Sequence, residues 1–333
     1  MRRQAVLTVI LSALIVSAAT TLVYAQAVSV TMGYPSYSNG DLGIISDNTW
    51  VGQFPVTITS GASTYSDEVY CLNYNGTVYE NSTYQADIAQ ANDTAQWRAI
   101  SYILSWTPVT NNDTAAIVQD AIWRIIGNYN SSQLNLPSSI QNAGINLAAT
   151  AAGKDVVRQG DQLKWVSPAV GNLTALPGQT VTFQAQLTNS TGTPRASVQI
   201  LFNATLELSG GTSETLNSTY VNSAQAFTDS NGVAQVTVKV PTDTPPGSTI
   251  KLEASTQSVW PQEYIDLTNQ TSTAQNLLGL GPALNLTVST SISIAGFIQV
   301  APESAVGSFA MIAAIAAAFF VFIKIKRPKI TKP

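Results

Sequence analysis

The chain has 333 residues, one Cys and no His, and only 10% of its residues are charged. These counts exclude Ser-His-Asp and Cys-His catalysis, His-ligated metal sites and an internal disulfide. The apolar fraction of 45% argues against a disordered polyelectrolyte. The length suits two domains of the usual ~100–200 residues, each large enough to bury a core.

The N-terminal end has the pattern of a secretory signal. Arg2 and Arg3 precede an apolar run, and small residues follow that run just before Gln26. A short basic segment, an apolar segment and a small-residue cleavage site are the three parts of a signal peptide. We therefore predict that residues 1–25 are a signal peptide and that the protein is exported.

The C-terminal end has the pattern of a membrane anchor. After a predicted linker at 296–303, residues 304–323 form an apolar stretch long enough to cross a bilayer as a helix. The tail at 324–333 is rich in Lys and Arg, as the positive-inside rule requires of a cytoplasmic segment. These features predict a single-pass protein of the cell membrane with its ectodomain outside.

The predicted ectodomain is acidic. Seven of the 15 bases lie in the two ends, so residues 26–303 hold eight bases against all 19 acids, a formal charge of −11. Such a surface repels nucleic acids, which we exclude as partners. Eleven Asn-x-Ser/Thr sequons predict a glycoprotein. The sequons begin at Asn75, Asn81, Asn92, Asn112, Asn130, Asn172, Asn189, Asn203, Asn217, Asn269 and Asn285.

Residues 26–162 combine short strand-like runs with helical segments. Apolar residues at helical spacing predict a helix over Ala95–Trp106, ended by a Thr-Pro pair. A second helix is predicted to be capped by Asp113 and ended by Gly127. A third is predicted from Ser138 to Ala152. Together these elements predict an α+β domain.

Residues 163–295 are predicted to form an all-β domain. Its segments alternate apolar and polar residues as half-buried strands do, and turn residues separate them. The predicted strands are Thr180–Leu187, Ser197–Phe202, Ala234–Val240 and Ile250–Ala254. An antiparallel sandwich is the natural arrangement for such strands. The segment Thr228–Val238 resembles the late hairpin of bacterial immunoglobulin-like domains, which implies a stalk.

Cys71 is the residue best suited to covalent chemistry, and its own sequence context leaves three interpretations. A lone Cys in an exported chain is a buried inert thiol, a partner in an intermolecular disulfide, or a reactive nucleophile. Burial of an inert thiol is the commonest of the three. Neighbouring sequence bears on the choice.

Two segments resemble the paired signature of the thioester domain, also called the TQXA domain, of bacterial surface adhesins. The first is Val69-Tyr70-Cys71-Leu72-Asn73, and the second is Val118-Gln119-Asp120-Ala121-Ile122-Trp123. Val118 departs from the signature, which often has Thr there. The intervening helix, Ala95–Leu104, also resembles its counterpart in the family. The resemblance covers about residues 30–155.

The resemblance implies a covalent bond between the side chains of Cys71 and Gln119, formed without a cofactor or metal. It also implies that a partner's amine or hydroxyl displaces the sulfur and becomes bonded to the Gln119 acyl carbon. Because water competes, such a site needs apolar walls. Tyr70 and Trp123 are the candidates for the wall, although Trp123 is also placed to pack the core. Asp120 points about 100° away from Gln119 around the helix and is a poor candidate for proton transfer.

Three classes of function follow from these observations. The favoured class is a surface adhesin that attaches covalently, once per molecule, to an external protein or glycan bearing amines or hydroxyls. The alternative is a structural envelope or surface-layer glycoprotein in which Cys71 is inert. A turnover hydrolase or transglutaminase is the weakest class, because no imidazole is present to act as base.

Overall fold

The computed structural model describes residues 26–33, 43–46, 49–74, 76, 78–79, 81–127, 129, 135–168, 173–266 and 276–296. The predicted signal peptide, membrane helix and basic tail lie outside these residues. Within them, no helix combines the length and the apolar character needed to cross a membrane.

The first structural unit is a closed six-stranded β-barrel. Around the barrel the strands follow the order β1, β4, β5, β17, β16, β6. Their bounds are β1 Gln26–Met32, β4 Phe54–Ser60, β5 Ser63–Cys71, β6 Thr83–Gln90, β16 Gln262–Asp266 and β17 Leu277–Gly279. Alternate residues of β4, Phe54, Val56 and Ile58, are buried, as expected of strands with one face on a core. A two-stranded hairpin, β2 (Gly43–Ser46) and β3 (Thr49–Gly52), accompanies the barrel.

Three helices of the described chain pack beside the barrel: α1 (Ala95–Trp106), α2 (Asn112–Ile126) and α3 (Ser138–Ala151). The predicted segments are confirmed, but the predicted cap of α2 is wrong. Asn111, not Asp113, caps it, because the Asn111 side chain and Thr114 exchange the two bonds of a capping box. Gly127 ends α2 in the left-handed conformation, with φ 84°.

The second structural unit is a sandwich of two sheets around one shared core. The first sheet contains β8 Leu173–Ala175, β10 Gln199–Glu207, β11 Ser213–Thr215, β13 Gln225–Phe227, β15 Thr249–Val259 and β18 Ala283–Ile294. The second contains β7 Gln162–Ser167, β9 Thr180–Thr188, β12 Val221–Asn222 and β14 Val233–Lys239. The four strands predicted from alternation are confirmed as β9, β10, β14 and β15. The immunoglobulin-like assignment stays a prediction.

The two units are not consecutive along the chain, contrary to the predicted division into 26–162 and 163–295. After β15 the chain leaves the sandwich, adds β16 and β17 to the barrel, and returns as β18. The physical reason is edge pairing: β5 and β6 would otherwise expose unpaired main-chain groups, and the returning strands fill both edges. The barrel is therefore assembled from both ends of the described chain.

Helix α1 joins the two units by hydrogen bonds to the sandwich. The Tyr102 hydroxyl donates to Oε1 of Gln199 at 2.9 Å. Ser105 accepts twice, from the Val259 N–H at its Oγ (2.8 Å) and from the Gln257 amide at its carbonyl (2.6 Å). These buried and part-buried bonds hold β15 against the helix that precedes α2.

Candidate functional site

Cys71 is the last residue of strand β5 and lies beyond the point where β4 stops pairing with it. Strand β4 pairs with β5 only as far as Phe54 opposite Val69. On the other edge β17 continues the pairing, with Leu277 opposite Cys71 and the Leu72 N–H donating to the Asn276 carbonyl at 2.9 Å. One edge of the strand at Cys71 is therefore left open where β4 has ended.

The side chain of Gln119, from α2, fills that open edge. The Cys71 N–H donates to Oε1 of Gln119 at 2.9 Å, and Nε2 of Gln119 donates to the Cys71 carbonyl at 2.8 Å. Both residues are buried, and Gln119 is 0% exposed. Because a carboxamide has the same donor and acceptor as a peptide group, it serves here as a one-residue strand neighbour.

This pairing brings the two predicted crosslinking residues together, although they are 48 positions apart. Both bonds go to the main chain of the residue that carries the thiol, so the amide carbon faces Cα of Cys71. Burial raises the pKa of the Cys71 thiol to about 12. The thiol is therefore neutral at pH 7.

Aromatic rings lie beside this pair. Trp123 is one helical turn beyond Gln119 and is 2% exposed. The Tyr74 ring meets Trp123 edge-on with centroids 5.4 Å apart, and the Tyr129 ring lies 5.9 Å from Trp123 and 5.6 Å from Tyr74. Tyr74 and Tyr129 are half-buried and both contact the buried Trp123 ring. We call Tyr74, Trp123 and Tyr129 the aromatic cover.

Sequence reasoning missed Tyr74 and Tyr129. Neither residue belongs to a helix or strand, so no periodic pattern identifies the side it faces. The only available signal was the position of Tyr74, three residues after Cys71.

Tyr70 does not join the aromatic cover. It is fully buried in a separate cluster with α1 and α2 residues such as Ile100 and Ile122, while Cys71 belongs to the barrel cluster that includes Trp123. Successive residues of a strand point to opposite faces, which places the Tyr70 ring away from the Cys71 side chain. The prediction that Tyr70 forms a site wall is therefore corrected: Tyr70 packs the core.

Asp120 is turned toward α3. Its carboxylate is buried and accepts two bonds from Arg124, at 2.7 and 3.2 Å. Gly144 of α3 packs against this carboxylate, which leaves no room for a side chain at that position. The Arg124 guanidinium also lies over the Tyr129 ring, 4.9 Å from its centroid. Burial and the Asp120 carboxylate raise the pKa of Tyr129.

Other chemistry has little support in the described part of the chain. It contains no grouping of three or more His, Cys, Asp or Glu side chains that could hold a metal ion. A cleft of about 680 Å³ lies between the barrel and the sandwich, lined by residues that include Asp93, Arg158 and Trp260. This cleft does not include Cys71 or Gln119.

No protein-family model and no curated protein sequence matches the chain. Among solved structures, the Bacillus anthracis TIE protein is 11% identical with a TM-score of 0.31, covering 81% of this chain and 49% of that one. The thioester domain of the Enterococcus faecium TIE86 protein is 13% identical with a TM-score of 0.29, covering 80% and 96%. Trypsin-activated alpha-2-macroglobulin from Escherichia coli is 8% identical with a TM-score of 0.23, covering 82% and 24%.

The chain thus spans about half the length of the Bacillus anthracis protein. TM-scores of this size do not establish a common fold. The contacts of Cys71 and Gln119 are the basis for a functional conclusion.

Proposed function

We propose that this chain is a cell-surface, adhesin-like protein in which Cys71 and Gln119 form an internal thioester that captures a partner covalently. The observation that carries the proposal is the double hydrogen bond between the Gln119 amide and the main chain of Cys71. It holds the only thiol of the chain next to one particular carboxamide, inside a buried site.

Thioester formation requires no group beyond the two residues. Sγ of Cys71 attacks Cδ of Gln119, and the C=O bond opens to a tetrahedral adduct whose negative oxygen is the former Oε1. The Cys71 N–H already donates to that oxygen and stabilises its charge. Collapse of the adduct breaks the C–N bond. Nε2 leaves as ammonia with the thiol proton, and one new bond joins Sγ of Cys71 to Cδ of Gln119.

The same pairing compensates for a poor nucleophile. A thiol with a raised pKa is rarely ionised, and the chain has no His to act as a base. A fixed approach of thiol to amide replaces a bimolecular encounter with an intramolecular step, which supplies part of the missing reactivity. We therefore expect the bond to form slowly and once, during maturation of the protein.

Capture is the second step. An amine or hydroxyl of a partner attacks the same carbon, the C–S bond breaks, and the proton of the nucleophile goes to the Cys71 sulfur. The product is an amide or ester to the partner and a free thiol. Each molecule reacts once, so the protein is a single-use reagent rather than a turnover enzyme. The aromatic cover restricts water, the competing nucleophile.

The cellular setting belongs to the same proposal. A signal peptide, a membrane helix and a basic tail would hold the ectodomain outside the cell, where external proteins or glycans offer amines and hydroxyls. Five of the sequon Asn residues in the described chain are exposed and accessible to glycosylation. They are Asn81, Asn92, Asn203, Asn217 and Asn285.

A structural envelope protein remains the second candidate, and one observation favours it. The Gln119 amide satisfies both main-chain groups of Cys71 without any covalent bond, and the thiol beside it is neutral. On this alternative, Gln119 only closes an open strand edge.

Intact mass of the purified full chain separates the two candidates. A thioester makes the protein lighter by one ammonia than the mass calculated for its processed chain, and Cys71→Ala abolishes this deficit. Methylamine should add to Gln119 in the wild type only. The matched control is Gln199→Ala, since Gln199 is a second buried Gln, and it should leave the mass deficit intact. A wild-type chain with its full sequence mass would support the structural candidate.

A further inference from the structure

The strand that pairs with Cys71 comes from far along the chain. Strands β16 and β17 are separated from β5 by the whole of the sandwich up to β15. At Tyr70 and Cys71, β17 is the only strand neighbour of β5 among the described residues, because β4 pairs no further than Val69. The main chain of the proposed nucleophile thus lies between β17 on one edge and Gln119 on the other.

The β16–β17 pair is firmly seated in the barrel. Leu278 is 0% exposed and Tyr264 is 1% exposed. The Tyr264 hydroxyl donates to the Asp67 carboxylate of β5 at 2.9 Å. At Gly279 a side chain has no room, since a Cβ there would overlap the Asp67 carboxylate and the Tyr264 ring. Glycine at this position leaves room for the Asp67 carboxylate and the Tyr264 ring, which lie against β17.

We propose that β17 is the positioning strand of the thioester site, so that the crosslink forms only after the chain has folded through Gly279, sandwich included. This inference rests on the proposed function. The bond from the Leu72 N–H to the Asn276 carbonyl fixes the residue after the thiol, and pairing with Leu277 aligns the thiol itself. Among the residues that the structure describes, β17 alone pairs with that edge of the strand at Cys71, opposite the Gln119 amide.

The consequence is an order of events. Cys71 and Gln119 are both present once the first 119 residues have been made, yet the strand that aligns them follows β15 of the sandwich. In a chain whose β17 has not yet formed, the Cys71 thiol and the Gln119 carboxamide are not aligned for reaction. The second unit therefore delays formation of the electrophile until the ectodomain is nearly complete.

The test uses Gly279→Val in the full chain, with Gly210→Val as the matched control. A Cβ at Gly210 meets nothing within 4 Å, and this residue lies in the sandwich. Three quantities are measured: the rate of ammonia loss by intact mass, the melting of the folded chain, and hydrogen exchange at the Leu72 amide. Gly279→Val should exchange that amide faster and form the crosslink about 100-fold more slowly, the loss expected for a misplacement on the order of 1 Å.

Each outcome decides the inference. Gly210→Val should crosslink as the wild type does. If Gly279→Val does not fold, Gly279→Ala makes the same comparison with a smaller group. A folded Gly279 variant that exchanges the Leu72 amide rapidly, yet crosslinks at the wild-type rate, overturns the inference. A wild-type chain that never loses ammonia overturns the proposed function instead, which is a different result.

Discussion

The barrel and the sandwich differ in how their strands find partners. In the sandwich, β15 and β18 pair without interruption from Thr249 opposite Ser293 to Val259 opposite Ala283. In the barrel, β4 stops pairing with one edge of β5 at Val69, while β17 pairs with the other edge from Val69 to Cys71. Where two strands pair without interruption, the main-chain groups on their shared edge are all used, whereas the end of β4 leaves the main-chain groups of Cys71 open to the side chain of Gln119. The reactive pair is located where strand pairing is incomplete.

Removal of the Gln119 amide should produce the largest difference in stability between a change in the barrel and a matched change in the sandwich. Gln119→Ala abolishes the crosslink and leaves two buried main-chain groups of Cys71 unpaired, so the free energy of unfolding should fall by about 2–6 kcal/mol. Gln199→Ala, in β10 just outside its pairing with β15, leaves one buried hydroxyl, that of Tyr102, without this partner and should cost about 1–3 kcal/mol. Denaturant titration of both variants measures the difference. Equal losses would remove the distinction between the two regions.

Two fully buried leucines allow the loss of folding stability to be separated from the rate of crosslink formation. Leu278→Ala in β17 and Leu252→Ala in β15 should each lower the free energy of unfolding by about 2–5 kcal/mol, because both leave a cavity. Only Leu278→Ala should also slow the loss of ammonia seen by mass. Slow crosslinking in folded Leu252→Ala would mean that general destabilisation, not strand position, controls the bond.

Two tryptophans provide a matched pair, since the indole N–H of each is buried without a hydrogen-bond partner among the described residues. Trp123→Phe and Trp165→Phe should each change the free energy of unfolding by only about 1 kcal/mol, because lost packing is offset by removal of an unpaired donor. Trp123→Phe should shorten the lifetime of the thioester in water, as measured by mass over time. Trp165→Phe, in the sandwich, should leave that lifetime unchanged.

The smallest expected effect is a pH dependence in the barrel. Burial raises the pKa of Asp67, although bonds from Tyr264 and the Glu68 N–H partly oppose the shift. The carboxyl group therefore contributes most to stability below its unfolded pKa, and that contribution is lost as the pH rises through its native pKa. Asp67→Asn keeps an acceptor for Tyr264, so it should stabilise the chain at pH 7 and have little effect at pH 3.

Unfolding at the two pH values measures this effect. Asp243→Asn, at an exposed position of the sandwich, is the control for loss of one charge. A pH response of the same size in both variants would assign the effect to net charge rather than to the buried carboxyl group.

Local sequence patterns were sufficient for the three helices and for four strands of the sandwich. Ala95–Trp106 was predicted with the bounds that the structure has, because helical spacing and a following Thr-Pro pair are local signals. The alternating strands β9, β10, β14 and β15 were predicted for the same reason. The cap of α2 was misassigned because Asn111 and Asp113 are both good capping residues, and only the geometry of the first turn selects one.

The sequence by itself determined the helices, the alternating strands and the two residues to be tested, since spacing, turn residues and the Cys and Gln motifs lie within short segments. Tertiary structure alone decided that β16 and β17 close the barrel, that Tyr70 faces the core, and that Tyr74 and Tyr129 cover Trp123. These features depend on which strand edges remain unpaired after the chain has folded back. No short window of sequence contains that information.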